Sequence, residues 1–230
     1  MESKGMAAEK RTRSEINKSK ILHAAAKLFL EKGYSESTVK EIATAAGVNL
    51  GSLTFAFKNK EAILCELVGF VLEGQFEAAA RLVKGVTEDK VLFYAVETVM
   101  QLYMAESSEH MREMYAVSYS LPHSAQIIYR TITGKLEHIF KEYLPKLESK
   151  DFYEREIASG GIMRGFMTVP CDMYFTMERK IRSFLQTTFL VYEVPQAKID
   201  EAIAFVGRFD LKKVAEETIE QMLKYLESKT

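Results

Sequence analysis

Between Ile16 and Phe76 the apolar residues recur at helical spacing, in short runs broken by glycine. Ile21, Ala25, Leu28 and Phe29 share one face, and Gly33 follows where a helix stop needs left-handed backbone, which predicts a helix over 15–32. Thr38-Val39-Lys40-Glu41 has the capping-box form, in which hydroxyl and carboxylate satisfy each other's orphan amides. It predicts a second helix with Val39, Ile42, Ala43 and Ala46 on one face, stopping at Gly47. Asn49 can cap a third helix that turns Leu53 and Phe57 inward, and Asn59 a longer fourth helix reaching about Lys84. Gly69 and Gly74 lie inside that fourth helix and weaken it by about 1 kcal/mol each relative to alanine.

After Gly85 the pattern stays helical, without the alternation and paired turns of strands. Thr87 is the expected cap of a segment running to about Ala105, apolar nearly all round and therefore central. Further helices are expected over 108–119, 122–143 (with Pro122 in its first turn), 151–169, 174–193, 196–208 and 210–228. The expected fold class is all-α: a three-helix N-terminal unit joined through the long fourth helix to a larger helical domain.

Charge divides the chain in the same place. Residues 1–60 hold eleven Lys and Arg against six acids, a net of +5 within a chain whose overall charge is −1. A basic front on an acidic body suits a protein whose first segment meets a polyanion. The apolar runs fall short of the roughly 18 residues that span a bilayer, and the charged start has no secretory core, so a cytoplasmic protein with no membrane partner is expected. Cys65 and Cys171 are far apart and outside any CxxC pattern, which predicts neither a disulfide framework nor a metal site. The four histidines show no HxxxH or HExxH spacing, no GxSxG elbow is present, and neither an enzyme nor a cofactor is expected.

Two short helices joined by a glycine turn could be a DNA reader or an ordinary helical corner. Its residues narrow the choice. The stretch from Ile21 to Tyr34, the stretch Ser37 to Leu53 with its Gly47-Val48-Asn49 turn, and Phe57-Lys58-Asn59-Lys60-Glu61 closely resemble the N-terminal domain of the TetR family of regulators. The resemblance implies a homodimeric, repressor-like protein whose third helix enters the major groove of a double-stranded, palindromic DNA operator. It divides the chain into a basic arm over 1–14, a helix-turn-helix domain over 15–60 and an effector-binding and dimerisation domain over 61–230. Carried over, Thr38 and Lys60 stand at the family's phosphate contacts, and Asn49, Leu50, Gly51 and Ser52 at the start of the recognition helix, where side chains reach base edges. Thr54, Phe55, Lys40 and Lys58 complete the candidate DNA contacts. Phe55 and Ala56 stand where the family usually has Tyr and His, so part of the family's contact set is missing. Lys10, Arg11 and Arg13 could compensate as an arm along the backbone or minor groove.

In the body, Met100, Tyr103, Met104, Met111, Met114, Tyr115 and Tyr119 occur on consecutive helices, and Met163, Phe166 and Met167 recur later. Thioethers and aromatic rings can line an adaptable pocket for a largely apolar small molecule. The helices over 151–169 and 174–193 correspond in order to the family's dimer pair, with Ala158, Gly161 and Gly165 on the first and Phe184, Thr188 and Tyr192 on the second as candidate interface residues. The alternative is a helical adaptor of the same fold that binds a protein in place of DNA. No role is assigned to residues 196–230.

Overall fold

The computed structural model describes residues 12–230, which contain eleven helices and no strand. The first three are α1 (Arg13–Lys32), α2 (Val39–Ala45) and α3 (Leu50–Ala56). Each starts on a capping side chain: Thr12 in a capping box with Glu15, Thr38 in a capping box with Glu41, and Asn49, whose Oδ1 accepts from the Ser52 amide at 2.7 Å. Gly33 (φ +89°) and Gly47 (φ +65°) supply the left-handed backbone at the two turns. Ile21, Ala25, Phe29, Ile42, Leu53 and Phe57 form the core of this unit. Arg13 is the first residue of α1, so the expected arm loses it to the helix; Lys10 and Arg11 lie outside the described residues.

The body comprises α4 (Lys60–Val83), α5 (Lys90–Glu106), α6 (Glu109–Ser118), α7 (Pro122–Phe140), α8 (Ser149–Thr168), α9 (Met177–Val191), α10 (Gln196–Val206) and α11 (Leu211–Ser228). Helix α5 is buried along almost its whole length, as its uniform apolarity requires, and touches every other body helix. Its cap is Asp89 and not Thr87. The Asp89 carboxylate accepts from the amides of Val91 and Leu92, while the Thr87 hydroxyl accepts from the Asp89 amide and so holds the capping residue itself. Tyr94, Phe140, Phe189 and Tyr192 pack ring on ring at the centre of the body, with Phe140 and Tyr192 stacked.

The last helix folds back over the front of the molecule. Helix α11 packs against α5, α4 and also α1 of the N-terminal unit, and its Met222 Cε lies 2.6 Å from where a Cβ on Gly74 would stand. Gly74 therefore leaves the room that the Met222 side chain of α11 takes up against α4, a tertiary use that its helix-weakening character alone does not reveal. Among the described residues no helix is long and apolar enough to cross a membrane.

Candidate nucleic-acid interface and adjoining cavity

The outer side of the front unit is formed by the start of α2 and the length of α3. Thr38, Lys40, Asn49, Leu50, Gly51 and Thr54 are exposed there, Ser52 is half-buried, and Lys58 is exposed just beyond. Several of their polar atoms already have local partners. The Thr38 hydroxyl donates to Glu41 Oε2 at 2.7 Å, the Asn49 amide oxygen is the α3 cap, and the Thr54 hydroxyl donates to the Leu50 carbonyl at 2.8 Å. Phe55 is 87% exposed and Leu50 51% exposed, large apolar surfaces left open among the described residues. Gly51 opens the start of α3, with only the Asn49 cap near a hypothetical Cβ.

Lys60 is held differently from the other basic candidates. Its ammonium donates to the carbonyls of Tyr34 (2.7 Å), Ser37 (2.9 Å) and Ser35 (3.3 Å), and sits 4.3 Å from the centre of the Tyr34 ring. Burial pulls its pKa below the ordinary lysine value, against the opposing pull of Glu113 and Glu36. All three donors are thus engaged by the α1–α2 loop, so a phosphate would compete with the loop for this ammonium, whereas Lys40 and Lys58 are free of ion pairs among the described residues.

The same loop is gripped from the body. Glu113 on α6 accepts from the amides of Tyr34 (3.1 Å) and Ser35 (2.9 Å), and His110 Nδ1 lies 3.0 Å from the Leu30 carbonyl. Glu113 is held below the usual carboxylate range: burial pushes it up, but the Ser35 and Tyr34 amides outweigh that. The turn leading into α2 is therefore bound on its carbonyl side by Lys60 and on its amide side by α6.

The opposite side of α6 lines a cavity of about 90 Å³. Met104, Met111, Met114, Tyr115 and Tyr119, five of the ten pocket candidates, border it. The other five do not. Met100 is fully enclosed in the core, Met163 and Met167 are buried on the inward side of α8, Phe166 packs on Phe175 and Phe184, and Tyr103 faces a separate groove beside α10. Gln101 and Met104 are the α5 residues that reach the cavity; Tyr103 points elsewhere by helical phase, whereas Met100 lies one turn from Met104 on the same face and is kept from the cavity only by the packing around it.

Much of the cavity wall comes from residues outside the expected set. Helix α1 supplies Ala26 and Leu30, so the N-terminal unit itself forms part of the wall; α4 and α11 close other sides, α4 with Leu64, Leu67, Val68 and Val71 and α11 with Ile219, Met222, Leu223 and Leu226; and Ser118, Gln75 and Gln101 are polar members. A glutamine set among apolar residues on the inward face of a helix is the signal that could have marked the last two.

The candidate interface on α8 and α9 also divides. Ala158, Gly161 and Gly165 are exposed, with open space beyond both glycines. Phe184, Thr188 and Tyr192 are fully buried, facing α5 and α8, and so are core residues and not interface residues. The outward side of α9 instead carries Leu190, 64% exposed, and the connection between the helices carries Met173 and Tyr174, 80% and 77% exposed.

Residues 21–67 match the model of the bacterial regulatory proteins, tetR family. Over 178 residues the chain is 24% identical to the probable HTH-type transcriptional regulator YttP of Bacillus subtilis, an alignment covering 75% of this chain and 77% of that one. It is 40% identical to the HTH-type transcriptional repressor BepR of Brucella suis over 62 residues, which cover 26% of this chain and 30% of BepR. Among solved structures, the complex of RolR with resorcinol superposes with a TM-score of 0.64 at 14% identity, over 85% of this chain and 95% of that one, a likeness of fold. YttP and BepR are both HTH-type regulators of transcription.

Proposed function

We propose that the chain, whose residues 21–67 match the bacterial regulatory proteins of the tetR family, is a DNA-binding transcription regulator of that type, a homodimeric repressor released from a palindromic operator by a small, largely apolar effector. One observation carries this proposal: α6 lines the cavity with Met111, Met114 and Tyr115 and, on its other side, grips the turn before α2 through Glu113. A molecule that displaces α6 therefore displaces the turn that orients the reading helices.

On DNA, α3 supplies the base-reading side chains, with Leu50 and Ser52 as specificity determinants and Asn49, Gly51, Thr54 and Phe55 around them. Thr38, Lys40, Lys58 and Lys60 face phosphates and set the register without reading sequence. Two such heads must sit about 34–36 Å apart to meet successive major grooves, and that spacing is the quantity the effector changes. A hundredfold loss of operator affinity requires about 2.7 kcal/mol of differential effector binding between the two states. The second copy is expected on the exposed face of α8 and α9, where Ala158, Gly161 and Gly165 leave room for a close helix and Ile157, Val169 and Leu190 expose apolar surface. The RolR complex supports the effector part only by example, since that fold holds resorcinol in RolR.

Gel shift with DNA upstream of the protein's own gene tests the proposal. A salt-sensitive complex is expected, with Leu50→Ala and Ser52→Ala changing the preferred sequence and Lys58→Ala weakening all sequences alike. Equal losses on every sequence from all three variants would remove the assigned roles.

A further inference from the structure

Next to the apolar cavity lies a compact polar cluster that no part of the proposed mechanism uses. Glu97 on α5 and Glu156 on α8 are 1% and 3% exposed, and among the described residues neither forms an ion pair. Glu97 accepts from the Gln101 amide at 2.6 Å, and Glu156 accepts from the Ser159 hydroxyl at 2.8 Å, which also meets the Tyr192 hydroxyl at 2.7 Å. Gln101 and Tyr119 border both this cluster and the apolar cavity, so the two spaces share a wall.

Among the residues that line the cavity, the buried polar atoms left without a partner are all acceptors. Gln75 and Gln101 are 0% and 4% exposed, and both line the cavity. Their amide hydrogens are engaged, Gln75 with Tyr115 and Met104 and Gln101 with Glu97, but Oε1 of each has no partner. A buried acceptor left unpaired is costly, as is a buried carboxylate without a cation. Two unpaired amide oxygens thus face the cavity, and behind the shared wall of Gln101 and Tyr119 stand two buried acids with no cation beside them.

We propose that the cavity takes a lipophilic amine, whose apolar body lies among Met104, Met111, Met114 and Met222 and whose protonated nitrogen donates to Gln75 and Gln101 and is balanced by one carboxylate of the adjoining Glu97–Glu156 pair. This rests on the cavity being the effector site and adds the chemical class of the effector. Burial holds the two carboxyls up, at about 7 for Glu97 and about 8 for Glu156. The groups around them leave that state intact. Helix α5 itself brings Tyr94; α6 brings Tyr115 and Tyr119; α7 brings Tyr129 and Lys135; α8 brings Ser159; and α9 brings Tyr192. Lys135 pulls Glu97 down but is turned onto the Phe76 ring, 4.2 Å from its centre. An incoming ammonium ion makes one carboxylate favourable, so that carboxyl gives its proton to solvent and the site stays neutral.

The probes are phenylbutylamine, phenylbutanol and phenylbutyrate, which share one apolar body and differ in the terminal group. Calorimetric titration near neutral pH, in two buffers of different ionisation enthalpy, measures both affinity and proton exchange. The amine is expected to bind at least about tenfold tighter than the alcohol, with proton release, and the acid to bind weakest. Replacing both acids (Glu97→Gln with Glu156→Gln) should bring the amine down to the affinity of the alcohol and abolish proton release, while leaving the alcohol unchanged. If that variant fails to fold, the order of the three probes on the unaltered protein decides. Equal binding of amine and alcohol, or tightest binding of the acid, would overturn the amine assignment and leave the cavity as an effector site. No binding of any probe by protein that still shifts DNA would overturn both.

Discussion

Lys60 shows how one side chain can serve the fold and the interface together. Its position at the start of α4 matches a phosphate contact, yet its ammonium ties together three carbonyls of the α1–α2 loop. Lys60→Ala should therefore cost about 1 to 2 kcal/mol of stability, since three charge-assisted hydrogen bonds are lost from a half-buried site. DNA binding should weaken on all sequences, with a lowered melting temperature. Lys58→Ala removes an exposed ammonium and should reduce the salt dependence of binding by about one phosphate without moving the melting temperature. A thermal melt alongside salt-dependent gel shifts separates the two lysines.

Glu97 and Glu156 make the protein's stability depend on pH in an unusual direction. Both fold with pKa values raised above the ordinary 4.5, to about 7 and about 8, because burial disfavours their charge. Below the unfolded value both states carry the protons, and the native state is not penalised. As pH rises towards the folded values the unfolded chain releases protons that the native state retains, so stability falls through that window. Replacing both acids with glutamine should remove the fall. The variant should gain on the unaltered protein by a few kcal/mol, as an order of magnitude, between about pH 5 and pH 8. Parallel pH dependence of the two melting temperatures would contradict it.

At the scale of elements, capping residues located the helix starts because a cap is a local bargain between one side chain and the next three amides. Thr38, Asn49, Asn59 and Asp210 each begin the helix expected of them. Thr87 misled because two oxygen-bearing side chains stand two residues apart, and Asp89 reaches the Val91 and Leu92 amides directly. Helix α11 was legible as a helix, but its use was not. Nothing local marks Ile219, Met222, Leu223 and Leu226 as the cover of a cavity whose other wall includes α1. Deleting residues 211–230 should expose that cavity and the α1 surface beneath it. The truncated protein should melt at lower temperature and lose any effector response of its DNA complex, read by gel shift with and without a bound ligand. An unchanged effector response would show that α11 only covers the cavity.

For the whole molecule, the proposed operator contact needs two reading heads and therefore two copies of the chain. The unobstructed Gly161 and Gly165 on α8 lie beside exposed Ile157 and Val169, with Leu190 on α9. Gly161→Arg with Gly165→Arg puts bulk and like charge on both sides of a two-fold contact. The variant should run as a monomer in light scattering, with intact helical circular dichroism and much weaker operator binding. A dimer of unchanged mass would move the interface elsewhere.

The sequence by itself determined what depends on neighbours in the chain: the helix periods, the caps, the glycine turns, the basic front and the motif of the reading head. It also indicated the methionine-rich region of the cavity and the small-residue face of α8. Tertiary structure alone decided which residues within those regions face which way. Met104 and Met100 are four apart on α5, yet one borders the cavity and the other the core. Phe184, Thr188 and Tyr192 repeat at helical spacing on a face that turns inward. Periodicity groups residues onto a face, but cannot say what that face meets; only packing against α1, α6, α8 and α11 settles that. The buried acids beside the cavity belong to the same class, because a glutamate read along one helix gives no sign of the second glutamate that another helix brings to it.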